Sequence, residues 1–160
     1  MPELKEGDIA PDFSLDLDDG GAFTLSEQRG RPVVIFFYPQ DDTGGCTNEN
    51  QEFSERKEDF EELGAYLIGV SPDSVESHLK FRRKYDLSVP LASDPERIAI
   101  EAFGLWQLKK LYGREFMGLV RTSFIVDDEG RIVRKIRATR IKGHAQRVLE
   151  ALRDHLAHTH

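Results

Sequence analysis

The chain has 160 residues, the usual size of one domain, and its 39% hydrophobic and 32% charged residues exclude a disordered or membrane-embedded polypeptide. A formal net charge of −7 argues against nucleic acid and anionic membrane as partners, since both repel an acidic protein. No stretch approaches the roughly 20 apolar residues of a membrane span.

The N-terminus, Met1 to Asp8, has neither an apolar core nor a cleavage-site pattern, so it does not read as a secretion signal, and a cytoplasmic location is the expectation. Without a repeat, a low-complexity tract or a Gly/Ser linker, residues 1–160 read as a single domain. Residues 8–30 read as short strands and turns. Asp19-Gly20-Gly21 is a hairpin-type turn between Phe13-Ser14-Leu15 and Ala22-Phe23-Thr24-Leu25. Val33 to Tyr38 is a continuous β-rich apolar run ended by Pro39, the mark of a strand buried on both faces.

A polar turn leads into a helical segment, 45–63. Phe53 and Phe60 follow Cys46 by two and four turns, and at about 100° per residue the three fall within roughly 40° on one face. Lys57 shares that face, its stem snorkelling outward. Tyr66 to Val70 is a second buried strand, and Ser71-Pro72-Asp73 starts the next helix with proline in its first turn. Leu91 to Asp94 reads as a short strand and Pro95 to Phe103 as a short helix. Ser123–Val126 and Ile132–Ile136 flank the turn Asp127-Asp128-Glu129-Gly130 as a hairpin. A final helix carries Val148, Leu149, Leu152 and Leu156 on one face. Strands alternating with helices, then a hairpin and a helix, predict a mixed α/β sheet covered on both sides.

The single cysteine excludes an internal disulfide, a Cys-x-x-Cys pair and a multi-cysteine zinc site. A lone cysteine by itself is most simply a small buried hydrophobe. Its place tells more: Cys46 falls where a strand end turns into a helix start. The first N–H groups of a helix have no intrahelical partners, and the dipole there favours negative charge, so a thiolate at such a position is stabilised and nucleophilic. Thr43, three residues earlier, has a hydroxyl within reach of the thiolate or of a substrate oxygen. An arginine would complete the site, since donors aimed at developing charge are the usual means of stabilising a leaving oxygen.

Pro39-x-x-x-Thr43-x-x-Cys46 matches the active-site signature of the peroxiredoxins, and the run Phe36 to Glu49 resembles their peroxiredoxin Q, or bacterioferritin comigratory protein, branch. Ala10-Pro11-Asp12-Phe13, Gly69 to Ser74, Pro90 to Asp94 and Trp106 to Asp127 extend the likeness over nearly the whole chain. The resemblance implies a thioredoxin-like fold, a mixed central sheet with helices on both faces and an N-terminal β-hairpin extension. It implies Cys46 as the peroxide-attacking thiol, Thr43 and Arg121 as the peroxide pocket, and Pro39 as a shield for the thiolate. Without the signature, Thr43 reads as a turn residue, Pro39 as a strand terminator and Arg121 as a surface ion-pair partner.

In the branch's usual pattern a proline stands at Gly44, and many members carry a resolving cysteine at the position of Gln51 or, on the next helix, near Ser77; neither is a cysteine here. The implied reaction is a one-cysteine cycle: a hydroperoxide oxidises Cys46 to a sulfenic acid, and an external thiol, such as thioredoxin or glutaredoxin, reduces it. No cofactor or metal is called for. The branch is often monomeric. A peroxide sensor or redox relay using the same cysteine with negligible turnover is the alternative, and a thioredoxin-fold interaction protein with an inherited cysteine is a third reading.

Other patterns weigh less. Asp16, Asp18, Gly21 and Glu27 mimic a calcium loop, but Gly20 occupies a ligand position and the flanks read as strands. His155, His158 and His160 read as a solvated terminus. His78 and His144 have no spacing that argues for a role, the charges Glu55 to Glu62 read as a solvated helix face, and Trp106, Tyr112 and Phe116 suit core packing or a pocket mouth.

Overall fold

A computed structural model describes residues 4–158; His160 of the histidine tail lies outside them. The strands are β1 (Ser14–Leu17), β2 (Ala22–Thr24), β3 (Val33–Phe37), β4 (Tyr66–Ser71), β5 (Leu91–Ser93), β6 (Trp106–Leu111), β7 (Arg114–Leu119), β8 (Thr122–Val126) and β9 (Ile132–Arg137). The helices are α1 (Gly44–Glu55), α2 (Lys57–Glu62), α3 (Val75–Tyr85), α4 (Ile98–Ala102) and α5 (His144–His158). Seven strands form one mixed sheet in the order β2-β1-β5-β4-β3-β8-β9, and β6 and β7 pair separately.

The all-apolar run of β3 is explained by its place. It pairs parallel with β4 and antiparallel with β8, so both edges are occupied and both faces covered. Its side chains alternate between two cores: Val33, Ile35 and Phe37 pack with Phe13, Phe23, Ile100 and Phe103 on one face. Val34, Phe36 and Tyr38 pack on the other with Cys46, Phe53, Phe60, Phe81, Val148 and Leu149. The Phe36 and Phe53 rings stack 4.2 Å apart, seating α1 against the strand. The N-terminal hairpin β1–β2 joins the sheet through β5, with Asp16 opposite Ser93. The mixed sheet with helices on both faces is the expected architecture.

Details differ from the sequence reading. The helix expected over 45–63 breaks at Arg56 (φ −105°, ψ 5°), yet Phe53 and Phe60 still reach the same core as Cys46. Helix α3 starts after Pro72, at Val75, because the Ser74 hydroxyl caps it by accepting from the Ser77 N–H at 3.1 Å. The short helix covers only Ile98–Ala102. Strands β6 and β7 are an unforeseen hairpin, turned by Tyr112 and Gly113, both with positive φ. Tyr112 at its tip is 95% exposed and is no core side chain, whereas Trp106 at its root, half-buried beneath the Arg97 guanidinium at 4.4 Å, packs against the core as expected. Among the described residues no helix is long and apolar enough to cross a membrane.

Candidate active site

Helix α1 begins where the polypeptide leaves β3 and crosses the loop from Pro39 to Thr43. Thr43 is its N-cap residue, in extended conformation, and its carbonyl accepts from the Thr47 N–H at 2.8 Å. Cys46 thus sits in the first turn, as expected, and is fully buried. Its backbone carbonyl accepts from Asn50 Nδ2 at 2.9 Å, which ties the turn down.

The guanidinium of Arg121, just before β8, brings the distant half of the site to the thiol. Nη2 donates to Cys46 Sγ at 3.2 Å and Nη1 to Glu49 Oε1 at 2.7 Å. Burial disfavours the guanidinium's charge, but Glu49 and Cys46 together raise its pKa above the ordinary arginine value. Glu49 is itself buried. Desolvation outweighs the attraction of Arg121, and Glu52 adds repulsion, pushing the Glu49 carboxyl up to about 7. Its Oε2 has no hydrogen-bond partner and lies 3.9 Å from His144 Nε2. His144, buried on α5, is held by Ser123 Oγ at 2.8 Å. Burial, with the charges of Arg147 and Arg121, brings its pKa down to about 4, so the ring is neutral near pH 7.

The structure therefore brings Cys46 and Arg121 into contact. The Thr43 hydroxyl instead donates to the Gln40 carbonyl at 3.1 Å, which leaves its oxygen lone pairs as acceptors at the mouth of the loop. Pro39 stands half-buried just beyond β3, next to the fully buried Tyr38. The β6–β7 hairpin and β9 border an open cavity of about 470 Å³ lined by Leu108, Lys109, Phe116, Val120 and Arg137, none of them a residue that contacts the thiol. The Lys109 amine is lowered by burial, then by the charges of Arg121 and Arg137, while Cys46 pulls the other way.

Sequence reasoning assigned no role to Glu49, Ser123 or His144. Only Glu49 carried a usable signal: three residues after Cys46, it lies one turn further along the same helix. A second buried network was also unforeseen. Tyr38 donates to Asp41 Oδ1 and Ser77 to Asp41 Oδ2, each at 2.7 Å. His78 Nδ1 lies 2.7 Å from Asp41 Oδ2, and its Nε2 donates to the Ala92 carbonyl at 3.0 Å. Asp73 accepts from the Asp41 N–H and from Ser71, anchoring the loop before α1 to the turn between β4 and α3. Asp41, Asp73 and His78 are the one set among the described residues placed to hold a metal ion, with ligand atoms within 4.8 Å of one another; their side chains already serve these hydrogen bonds.

Comparison with known proteins bears on the family and the fold. The sequence model of the AhpC/TSA family matches residues 7–135. Peroxiredoxin Bcp of Bacillus subtilis is 44% identical over 151 residues, 94% of this chain and 96% of that protein. The bacterioferritin comigratory protein of Xanthomonas campestris, whose structures address alkyl peroxide reduction, superposes with a TM-score of 0.85 at 38% identity, covering 89% of this chain and 91% of the other. PrxQ of Xylella fastidiosa, in a mutant form, gives 0.90 at 33% identity, over 98% and 99% of the two chains. The fold is thus the thioredoxin-like fold of these peroxiredoxins. This chain belongs to the AhpC/TSA family and is a peroxiredoxin of the Bcp kind.

Proposed function

We propose that residues 1–160 act as one catalytic domain that reduces hydrogen peroxide and organic hydroperoxides with Cys46 as the only redox thiol. The Cys46 thiolate attacks the terminal peroxide oxygen. An S–O bond forms, the O–O bond breaks, sulfur loses two electrons, and the leaving oxygen takes a proton and departs as water or an alcohol. Arg121 faces both the thiolate and the oxygen where charge develops, and Thr43 accepts from the peroxide O–H. Pro39 keeps water from the thiolate. An external thiol then reduces the sulfenic acid by way of a mixed disulfide, since Cys46 is the only cysteine. Thioredoxin or glutaredoxin, in the cytoplasm, suits that step, and a monomer suffices for it.

The 3.2 Å contact from Arg121 Nη2 to Cys46 Sγ carries this reading, because it puts a permanent cation on the reacting atom. Steady-state peroxide consumption with dithiothreitol, thioredoxin or glutaredoxin tests it. The wild type turns over and Cys46→Ser does not, since a serine hydroxyl is not appreciably ionised. Retained turnover in Cys46→Ser would overturn the assignment. Stoichiometric oxidation without turnover would favour the sensor or relay.

A further inference from the structure

The reaction changes the charge at Sγ, and the residues behind the sulfur are arranged to answer that change. One guanidinium serves two acids, Cys46 and Glu49. The carboxylate is fully buried, and only one of its oxygens has a partner. We propose that Glu49 is a redox-linked proton reservoir: it holds a proton while Cys46 is a thiolate and gives it up when Cys46 becomes a neutral sulfenic acid.

The coupling is electrostatic. While Sγ is anionic, a second anion on the same arginine is redundant, and its buried charge is costly with Oε2 unsolvated. The groups facing Glu49 are Arg121 ahead of β8, His144 on α5 and Glu52 on its own helix, with Cys46 linked to it through the shared Arg121 guanidinium. Lys109 and Arg137 face the Arg121 side, and Arg147 faces His144. A neutral His144 offers Oε2 no countercharge, so Arg121 is the cation that draws Glu49 towards ionisation against its burial and the repulsion of Glu52. Its burial-raised pKa of about 7 puts the carboxyl within reach of that decision near neutral pH.

Oxidation removes the thiolate's share of Arg121, and the freed cation draws the proton off Glu49. The balanced step is Cys46-S⁻ plus ROOH plus Glu49-COOH giving Cys46-SOH plus ROH plus Glu49-COO⁻. The proton lost by the carboxyl matches the one that the leaving alkoxide takes up from solvent. When thiol returns Cys46 to the thiolate, Glu49 takes a proton back. Glu49 is thus a positioning residue acting through Arg121, and the negative charge facing the guanidinium is kept constant through the cycle.

The inference rests on Cys46 being the reacting thiol, and its test separates the two. Reduced protein in weak buffer at pH 6.5 is mixed with one equivalent of peroxide, with Cys46 oxidation followed by mass spectrometry and proton exchange by an indicator dye. Wild type should show close to zero net proton uptake per Cys46 oxidised, and Glu49→Gln close to one. In parallel, infrared difference spectra of wild type labelled with ¹³C-carboxyl glutamate should lose a protonated-carboxyl band on oxidation. The label distinguishes Glu49 from Asp94, whose carboxyl is also raised by burial. The infrared readout needs no variant, so it stands even if Glu49→Gln misfolds. Cys46 oxidation with no loss of the glutamic-acid band, or equal proton uptake in both proteins, overturns the reservoir while leaving the peroxidase reading intact. Absence of Cys46 oxidation removes the ground from both.

Discussion

Arg121 and Cys46 stand 75 residues apart in sequence, yet Nη2 of one lies 3.2 Å from Sγ of the other. The contact depends on β8 pairing with β3: Thr122, next to Arg121, is opposite Phe37, the last residue of the strand that feeds the loop before α1. Two ends of adjacent strands therefore deliver the cation and the thiol to one point, and the sheet register fixes their separation.

Arg121→Lys should fare far worse than its conserved charge suggests. The guanidinium spends separate N–H groups on Sγ and on Glu49, whereas an ammonium on a shorter reach cannot hold both in the same plane. Loss of an oriented donor at a charge-developing centre costs on the order of 10²–10³ in rate. Thr43→Val should lower the second-order rate with peroxide as well, by removing an acceptor at the pocket. Stopped-flow rates for the two variants check this, and wild-type values in both would refute the pocket.

The buried Glu49–His144 pair makes opposite demands on stability. Glu49 is raised from 4.5 to about 7, so its contribution is full below pH 4.5 and fades as pH rises towards 7. His144 is lowered from 6.5 to about 4, so its contribution is full above pH 6.5 and fades as pH falls towards 4. Between about pH 4.5 and 6.5 the two slopes oppose each other, each on the order of 1.4 kcal/mol per pH unit. Glu49→Gln should unmask the histidine slope and make stability climb with pH across that window. His144→Phe should unmask the reverse. Urea unfolding at stepped pH reads both, and a Glu49→Gln profile parallel to wild type would contradict the assignment.

Gly44 is the first residue of α1, and a Cβ built there meets nothing within 4 Å. Proline suits a first helical position because its fixed φ is already helical and the missing N–H has no intrahelical partner. Gly44→Pro should raise stability by about 0.4–1 kcal/mol through the unfolded state, with peroxide rates kept. The adjacent Gly45 is the opposite case. A Cβ there comes within 2.7 Å of Ile141 Cδ1 and makes only ordinary contact, 3.6 Å, with Arg121 Nη2, so Gly45→Ala should displace the Ile141 side chain and lower stability slightly, with peroxide rates kept. Thermal melts and peroxide rates on the two variants separate these outcomes.

What the sequence disclosed follows the range of each interaction. Cys46, Thr43 and Pro39 lie within one loop and one helical turn, so local pattern and a known signature place them together. Arg121 was reachable only through the family likeness, because nothing local ties it to Cys46. The Glu49–Arg121 bond spans 72 residues, and Ser123 and His144 are joined by packing between β8 and α5; pairings of this kind leave no spacing to read. His78 is hidden likewise, since Asp41, its partner, is 37 residues away. The β6–β7 hairpin escaped notice because the charged Lys109, Lys110, Arg114 and Glu115 surround its turn, which is Tyr112-Gly113 rather than Asn-Gly. The break at Arg56 has no glycine or proline to announce it.

Cys46 is the only cysteine, and Gln51 and the neighbourhood of Ser77, where the family resemblance would place a resolving cysteine, offer no sulfur. One equivalent of peroxide should therefore leave a sulfenic acid that dimedone traps as a single adduct per chain. Non-reducing gels at low protein concentration should show little disulfide-linked species, since a Cys46–Cys46 bond needs two chains to meet. A sulfenic acid with no partner thiol stays open to another peroxide, so scarce reductant should drive Cys46 to the sulfinic form, which ordinary thiols do not reverse. Activity should then decay with each turnover at high peroxide and be protected by excess dithiothreitol. Two results would count against the one-cysteine cycle: rapid stoichiometric Cys46–Cys46 disulfide at sub-micromolar protein, which would mean an intermolecular resolving route, or oxidation with no dimedone-reactive species at any time.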